Sequence, residues 1–363
     1  MLSCLIDAVS ESLSADEKPA PSERLPVAFS LIAIVRSTWS ADKLSLTASI
    51  KQDNIFGSGN YLGFEINTSK YNKQLVLSTV DPYFTIDGIS RGIDLYYRTS
   101  RPINSQGEEY ELVTPGFAVR FGVPFSEYDT VFFGIGAERT EIKGATQLPN
   151  SYFLYREQFG DTSNSMPLTL GWTRDNRDSA LVPTAGRYMR VNLDWAPVGD
   201  AKYVRANLQG QQYFAITRSF TLGINAEVGY GKGFGDRPYP IFKNFYGGGL
   251  GTVRGFEQGS LGPVDVTGAF IGGNRRFNLN NELYIPVPGA GADRTLRLFV
   301  YVDAGNVWGE NEKVTFDSLR ASAGLGVSWI SPVGPLKLSY GAPIKKQPED
   351  RIQRLQFQIG TAF

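Results

Sequence analysis

The chain has 363 residues, with 36 Lys+Arg against 36 Asp+Glu and no His, so it offers no net field to attract nucleic acid and lacks the base of most hydrolytic triads. A single cysteine, Cys4, excludes an internal disulfide and a cysteine-based metal centre. Aromatics reach 13% and Gly 40 of 363 at a mean hydropathy of −0.20, and no run approaches the ~20 apolar residues of a spanning helix, so a membrane crossing would use strands.

Met1 to Ser10 has no basic start and carries Asp7 inside its short apolar run, which makes it a poor secretory signal. Ala15 to Pro26 is charged and Pro-containing and reads as a disordered linker. The following run, 27–36, is read as a first strand, although it is apolar on both faces, unlike every later one. Residues 1–42 are thus expected to form an irregular N-terminal segment, and 43–363 a barrel domain.

From Lys43 onward, apolar residues fall at every second position for eight to twelve residues, followed by Gly, Pro, Asn and Asp, which is the strand-and-turn signature. The remaining predicted strands are 43–53, 60–70, 73–81, 88–100, 110–123, 129–143, 165–176, 186–197, 202–215, 219–232, 272–286, 293–306, 316–331, 334–342 and 353–363. In 219–232, Phe220, Leu222, Ile224, Ala226, Val228 and Tyr230 form one face, and Thr221, Gly223, Asn225, Glu227 and Gly229 the other. Periodicity alone does not say which face is outside. Long strands, aromatics such as Tyr83, Phe84, Tyr96, Tyr97, Trp172 and Trp195 near strand ends, and short turns alternating with longer loops favour a membrane barrel over a soluble sandwich. The expected fold is all-β, a transmembrane antiparallel β-barrel of about 16 strands, an even count that suits closure. Its longest interruptions are 144–164, 233–271 and 343–352, and the second is rich in glycine. A loop of that length is usually functional or disordered.

Three segments carry a resemblance. The first is Asn244-Phe245-Tyr246-Gly247-Gly248-Gly249, then Thr252-Val253-Arg254-Gly255-Phe256 and Gly262-Pro263. The second is Gln52 to Gly59 with Asp81 to Gly88, and the third runs from Trp329 through Lys345-Lys346 to Phe363. Together, and in the family's own order along the chain, they resemble the BamA family, within the superfamily of bacterial surface antigens, across about residues 43–363. The resemblance implies an outer-membrane location and a role in folding and inserting other β-barrel proteins. It also implies a loop folded into the lumen, with the Arg of its VRGF signature paired to acidic groups on strands twelve and thirteen.

Strand parity can be asked for those acids independently. In 272–286, Phe277, Leu279, Leu283 and Ile285 take one face, which leaves Asn278, Asn280, Glu282 and Tyr284 for the lumen. In 293–306, Leu296, Leu298, Val300 and Val302 oppose Arg297, Tyr301 and Asp303. Glu282 and Asp303 are therefore expected inside, where a guanidinium could satisfy both. The last strand places Leu355, Phe357, Ile359 and Phe363 on one face and resembles the C-terminal signal by which such barrels are recognised, with Phe357, Ile359, Gly360 and Phe363 as its candidate residues. In the family the seam between first and last strands is weak and can open to template a new strand, and Gly360 suits a kink there.

No metal or cofactor is expected. Gly247 to Gly251 lacks the Gly-Lys-Ser/Thr ending and following helix of a phosphate loop, and an enzyme would have to work without His or a reactive Cys. Expected partners are outer-membrane lipids and nascent β-barrel proteins. The family's accessory lipoproteins dock on POTRA domains, none of which is read in residues 1–42. A passive outer-membrane pore, or a truncated and inactive barrel fragment, is the alternative reading; a two-partner secretion pore would share the VRGF loop but fits the closing segments less well.

Overall fold

The computed structural model describes residues 46–359 apart from 53, 69–71, 101–109, 145–147, 218, 288–294 and 332–333. The strands of the first half are β1 (Leu46–Gln52), β2 (Tyr61–Thr68), β3 (Asn72–Asp81), β4 (Ser90–Ser100), β5 (Glu111–Pro124), β6 (Asp129–Lys143), β7 (Thr162–Asp175) and β8 (Gly186–Gly199). The second half adds β9 (Tyr203–Ala215), β10 (Thr221–Gly233), β11 (Gly255–Phe256), β12 (Arg275–Pro286), β13 (Leu296–Trp308), β14 (Arg320–Ser331), β15 (Gly334–Lys345), β16 (Ile352–Gln353) and β17 (Leu355–Ile359). Fifteen of them form one sheet, each hydrogen-bonded to its neighbours from β1 through β10, then β12 through β15, then β17. All these pairings are antiparallel. The two-residue strands β11 and β16 pair with each other instead. The run 27–36 lies outside the described residues.

Which face meets lipid is decided by burial. On β13, Val300 and Val302 are 44% and 50% exposed while Tyr301 and Asp303 are 3% and 0% exposed. On β12 the buried positions are Asn278, Asn280, Glu282 and Tyr284. Apolar side chains outside and polar ones inside reverse the order of a soluble sandwich, and they are the arrangement a lipid-facing barrel requires. Aromatics pack along the outer surface, as where Phe121 stacks on Phe133 of the next strand at 5.1 Å.

Some expected boundaries are corrected. The interruption 144–164 holds a helix, α1 (Asn150–Phe159), with Tyr152 buried and its ring 4.8 Å from that of Tyr110. The alternation that marked the strands carries no signal for a helix this weakly amphipathic. Strand β7 starts at Thr162, and β14 starts at Arg320 because Phe316–Ser318 forms a 3-10 turn. The interruption 343–352 is shorter than expected, since β15 runs on to Lys345. A register shift between Ala321 and Ser322 lets β14 keep pairing past Pro343, as bulges accommodate a proline that has no N–H to donate.

Connections alternate between the two ends of the sheet. Those after β6, β10, β13 and β15 open at one end and include α1 and the long segment 234–274. The other end has short turns such as 125–128. In outer-membrane barrels the end with long loops faces outward. From that end, segment 234–274 turns back into the barrel.

Candidate functional site

The geometry centres on Val253-Arg254-Gly255-Phe256. Val253 and Phe256 are fully buried and pack with Leu261, and Arg254 is 1% exposed. The Arg254 Nε and Nη2 donate to the two carboxylate oxygens of Asp303, each at 2.7 Å, and its backbone N–H donates to Asp303 Oδ2 at 3.0 Å. Its Nη1 pairs with Glu282. Below the guanidinium lies the Tyr301 ring, with Cζ 3.7 Å from its centroid, close enough for a cation–π contact. Burial alone would push the guanidinium pKa down, but the charges of Glu282 and Asp303 outweigh it and hold the group above its ordinary value.

Lys337 on β15 completes the cluster, its Nζ donating to Glu282 Oε1 at 2.7 Å and Oε2 at 3.0 Å. Two cations thus face two carboxylates, and Glu282 also accepts from the Tyr284 hydroxyl. Sequence reasoning missed Lys337. The signal was available, because Leu338 and Tyr340 face outward, and Lys337 and Ser339, which alternate with them, must face in. With every carboxylate oxygen engaged by a donor, the cluster is an electrostatic anchor and has no free base. Among the described residues no three metal-ligating side chains converge.

Two glycines make the seating possible. Gly255 has φ +86°, a conformation that a Cβ penalises. A Cβ at Gly324 of β14 would lie 2.7 Å from the Tyr301 ring, so that ring can lie flat against the wall under Arg254.

The same motif reaches the end of the chain. Gly255 and Phe256 form β11, which pairs with Gln353 and Ile352 of β16, and Glu257 N–H donates to Arg351 O at 2.9 Å. Gln356, buried on the lumen face of β17, donates to Phe256 O at 2.5 Å and accepts from Gly255 N–H at 3.4 Å. The predicted strand 353–363 is therefore split: its first residue belongs to β16, and wall pairing begins at Leu355. That pairing matches Leu355 to Ile359 with Tyr340 to Leu336, five of the twelve residues of β15. Phe357 is half-buried opposite Leu338, and Ile359 pairs with Leu336. Gly360 and Phe363 lie outside the described residues.

Residues 54–363 match the Omp85 superfamily domain. The chain belongs to the Omp85 superfamily. Within it, the chain is 39% identical to the outer membrane protein assembly factor BamA of Neisseria meningitidis serogroup B, over 90% of this chain and 46% of that protein. It is 26% identical to BamA of Nitratidesulfovibrio vulgaris, over 88% of this chain and 40% of that protein. Among solved structures, BamA from Haemophilus ducreyi lacking POTRA domains 1–3 superposes with a TM-score of 0.79 at 28% identity, covering 88% of this chain and 67% of that one. This Omp85 chain spans about half the length of the curated relatives it matches. Its fold is that of the BamA barrel, an outer-membrane structure, in a family of assembly factors and not of enzymes.

Proposed function

We propose that this chain folds and inserts other β-barrel proteins into the outer membrane, working without chemical catalysis on lipid and nascent strands. The observation that carries the reading is the link between the Arg254 loop and the last strand. The β11–β16 pairing and Gln356 tie the motif to a terminal strand that, among the described residues, pairs with five residues of β15. A strand edge whose N–H and C=O groups are left over is a template for an incoming strand. In this reading Arg254, with Glu282 and Asp303, fixes the loop beside that edge, and Phe357, Ile359, Gly360 and Phe363 form the signal by which the chain is itself inserted.

The test places the purified protein in liposomes and follows a barrel client to its heat-resistant, protease-protected form. Faster client folding than in empty liposomes, without steady ion conductance, is the expected result. Steady conductance without acceleration, from protein verified as folded, would refute it in favour of a passive pore.

A further inference from the structure

The Arg254 cluster is one end of the loop's attachment. The other lies on β6, five pairings away in the sheet. Glu138 there is 8% exposed, in a lumen whose charges need partners. Lys243, on the descending part of segment 234–274, places its Nζ 2.5 Å from Glu138 Oε1. Ser165 of β7 and Tyr203 of β9 donate to the same oxygen at 3.0 and 3.2 Å, and Tyr96 of β4 donates to Oε2 at 3.4 Å. Hydroxyls from three strands of the wall thus converge on one carboxylate, and its single charged partner among the described residues comes from the loop.

Lys243 is itself held in place. Its carbonyl accepts from the Tyr239 hydroxyl at 2.8 Å, and the Tyr239 ring meets Tyr203 edge-on at 6.1 Å. Two residues on, Phe245 is 2% exposed and exchanges backbone hydrogen bonds with Gly273 at the other end of the loop.

We propose that Glu138 and Lys243 are a second positioning pair for the lumen loop, so that the loop braces the barrel interior between β6 and the β12–β13 wall. Ten residues connect the β6 anchor at Lys243 with the β12–β13 anchor at Arg254, and with both ends fixed the β11 edge is presented to β16 at a set height. Any effect on insertion rests on the function proposed above, whereas the bracing is measured without a client.

Hydrogen–deuterium exchange on the folded full chain tests this. In Glu138→Gln, amides 239–249 should exchange ~10-fold faster or more, with the strand amides unchanged and the folded band on a gel retained. The charge-swapped double variant, Glu138→Lys with Lys243→Glu, should recover much of the protection, which a purely local packing defect would not do. Lys243→Met, which leaves the wall's own residues intact, serves if Glu138→Gln does not fold, and the same loosening is expected of it. Exchange within twofold of the parent in the folded single variant, or no recovery in the swap, would overturn the proposal. Loosening of 239–249 with unchanged client insertion would keep the brace and separate it from the function.

Discussion

Replacing Arg254 with Ala isolates the cost of the lumen anchor. The substitution removes two 2.7 Å bonds to Asp303, the pair with Glu282 and the stacking on Tyr301. Its effects on the two carboxylates are unequal. Glu282 keeps both Lys337 contacts, while Asp303, fully buried, keeps only the backbone N–H of residue 254 among its bonds to that residue. Removing one partner of a buried ion pair costs about 3–5 kcal/mol, because the other charge is left behind. On that scale the docked state of the loop should lose roughly a hundredfold or more of its population. Release of the loop lets water reach Asp303, so that the loss falls on loop order before it falls on the wall. The assay combines thermal loss of the folded gel band with exchange at amides 252–257. Arg254→Ala combined with Asp303→Asn should regain part of the loss, since the orphaned charge is gone. Equal behaviour of Arg254→Ala and the parent, or strictly additive effects of the two substitutions, would refute the reasoning. Arg254→Lys should fall between, as an ammonium cannot reproduce the forked pairing.

Gln356→Ala should cost about 1 kcal/mol and speed exchange at Gly255 and Glu257, because Phe256 O loses its donor; unchanged exchange would separate the motif from the last strand. Val300→Arg, on the outer face of β13, should destabilise the barrel in lipid by about 2–4 kcal/mol if Val300 sits near the bilayer midplane, measured by denaturant unfolding in liposomes. Asp200 accepts the backbone N–H of Asn164 at 3.0 Å and its side-chain amide at 2.9 Å, which holds the carboxyl below its usual range. The stabilisation of this exposed turn is therefore complete above the ordinary carboxylate pKa of about 3.9 and is lost as pH falls through the lowered value; amide exchange at Asn164 across that range checks it.

The wall was legible because a strand in a barrel obeys a period of two along nearly its whole length. Leu298, Val300 and Val302 announce a face, and Arg297, Tyr301 and Asp303 must then take the other. Parity placed Glu282 and Asp303 on the lumen side, where both are buried. What parity could not supply is how the non-repeating parts meet. Helix α1 is docked by Asp265, which accepts Ser151 N–H at 2.8 Å and its hydroxyl at 3.0 Å from 114 residues away. Lys243 reaches Glu138 in the same way, and neither contact leaves a periodic trace. The split of the last strand was equally hidden, since Ile352 and Gln353 alternate as well as any wall residues but pair with the loop.

The separations along the chain also set an order of assembly. Arg254 lies 49 residues from Asp303, Ser151 lies 114 from Asp265, and Phe256 lies 100 from Gln356. Contacts closing such long segments form slowly, since much chain entropy is lost before they repay it. Each also joins the loop to strands that acquire a shape only by pairing with their neighbours. Docking of the loop is therefore a late event, and the contact of Phe256 with Gln356 awaits the last strand. A chain released with that strand missing would keep the Arg254 and Lys243 anchors but lose the contact of Phe256 with Gln356, which makes order at Phe256 an internal report that the barrel has been finished.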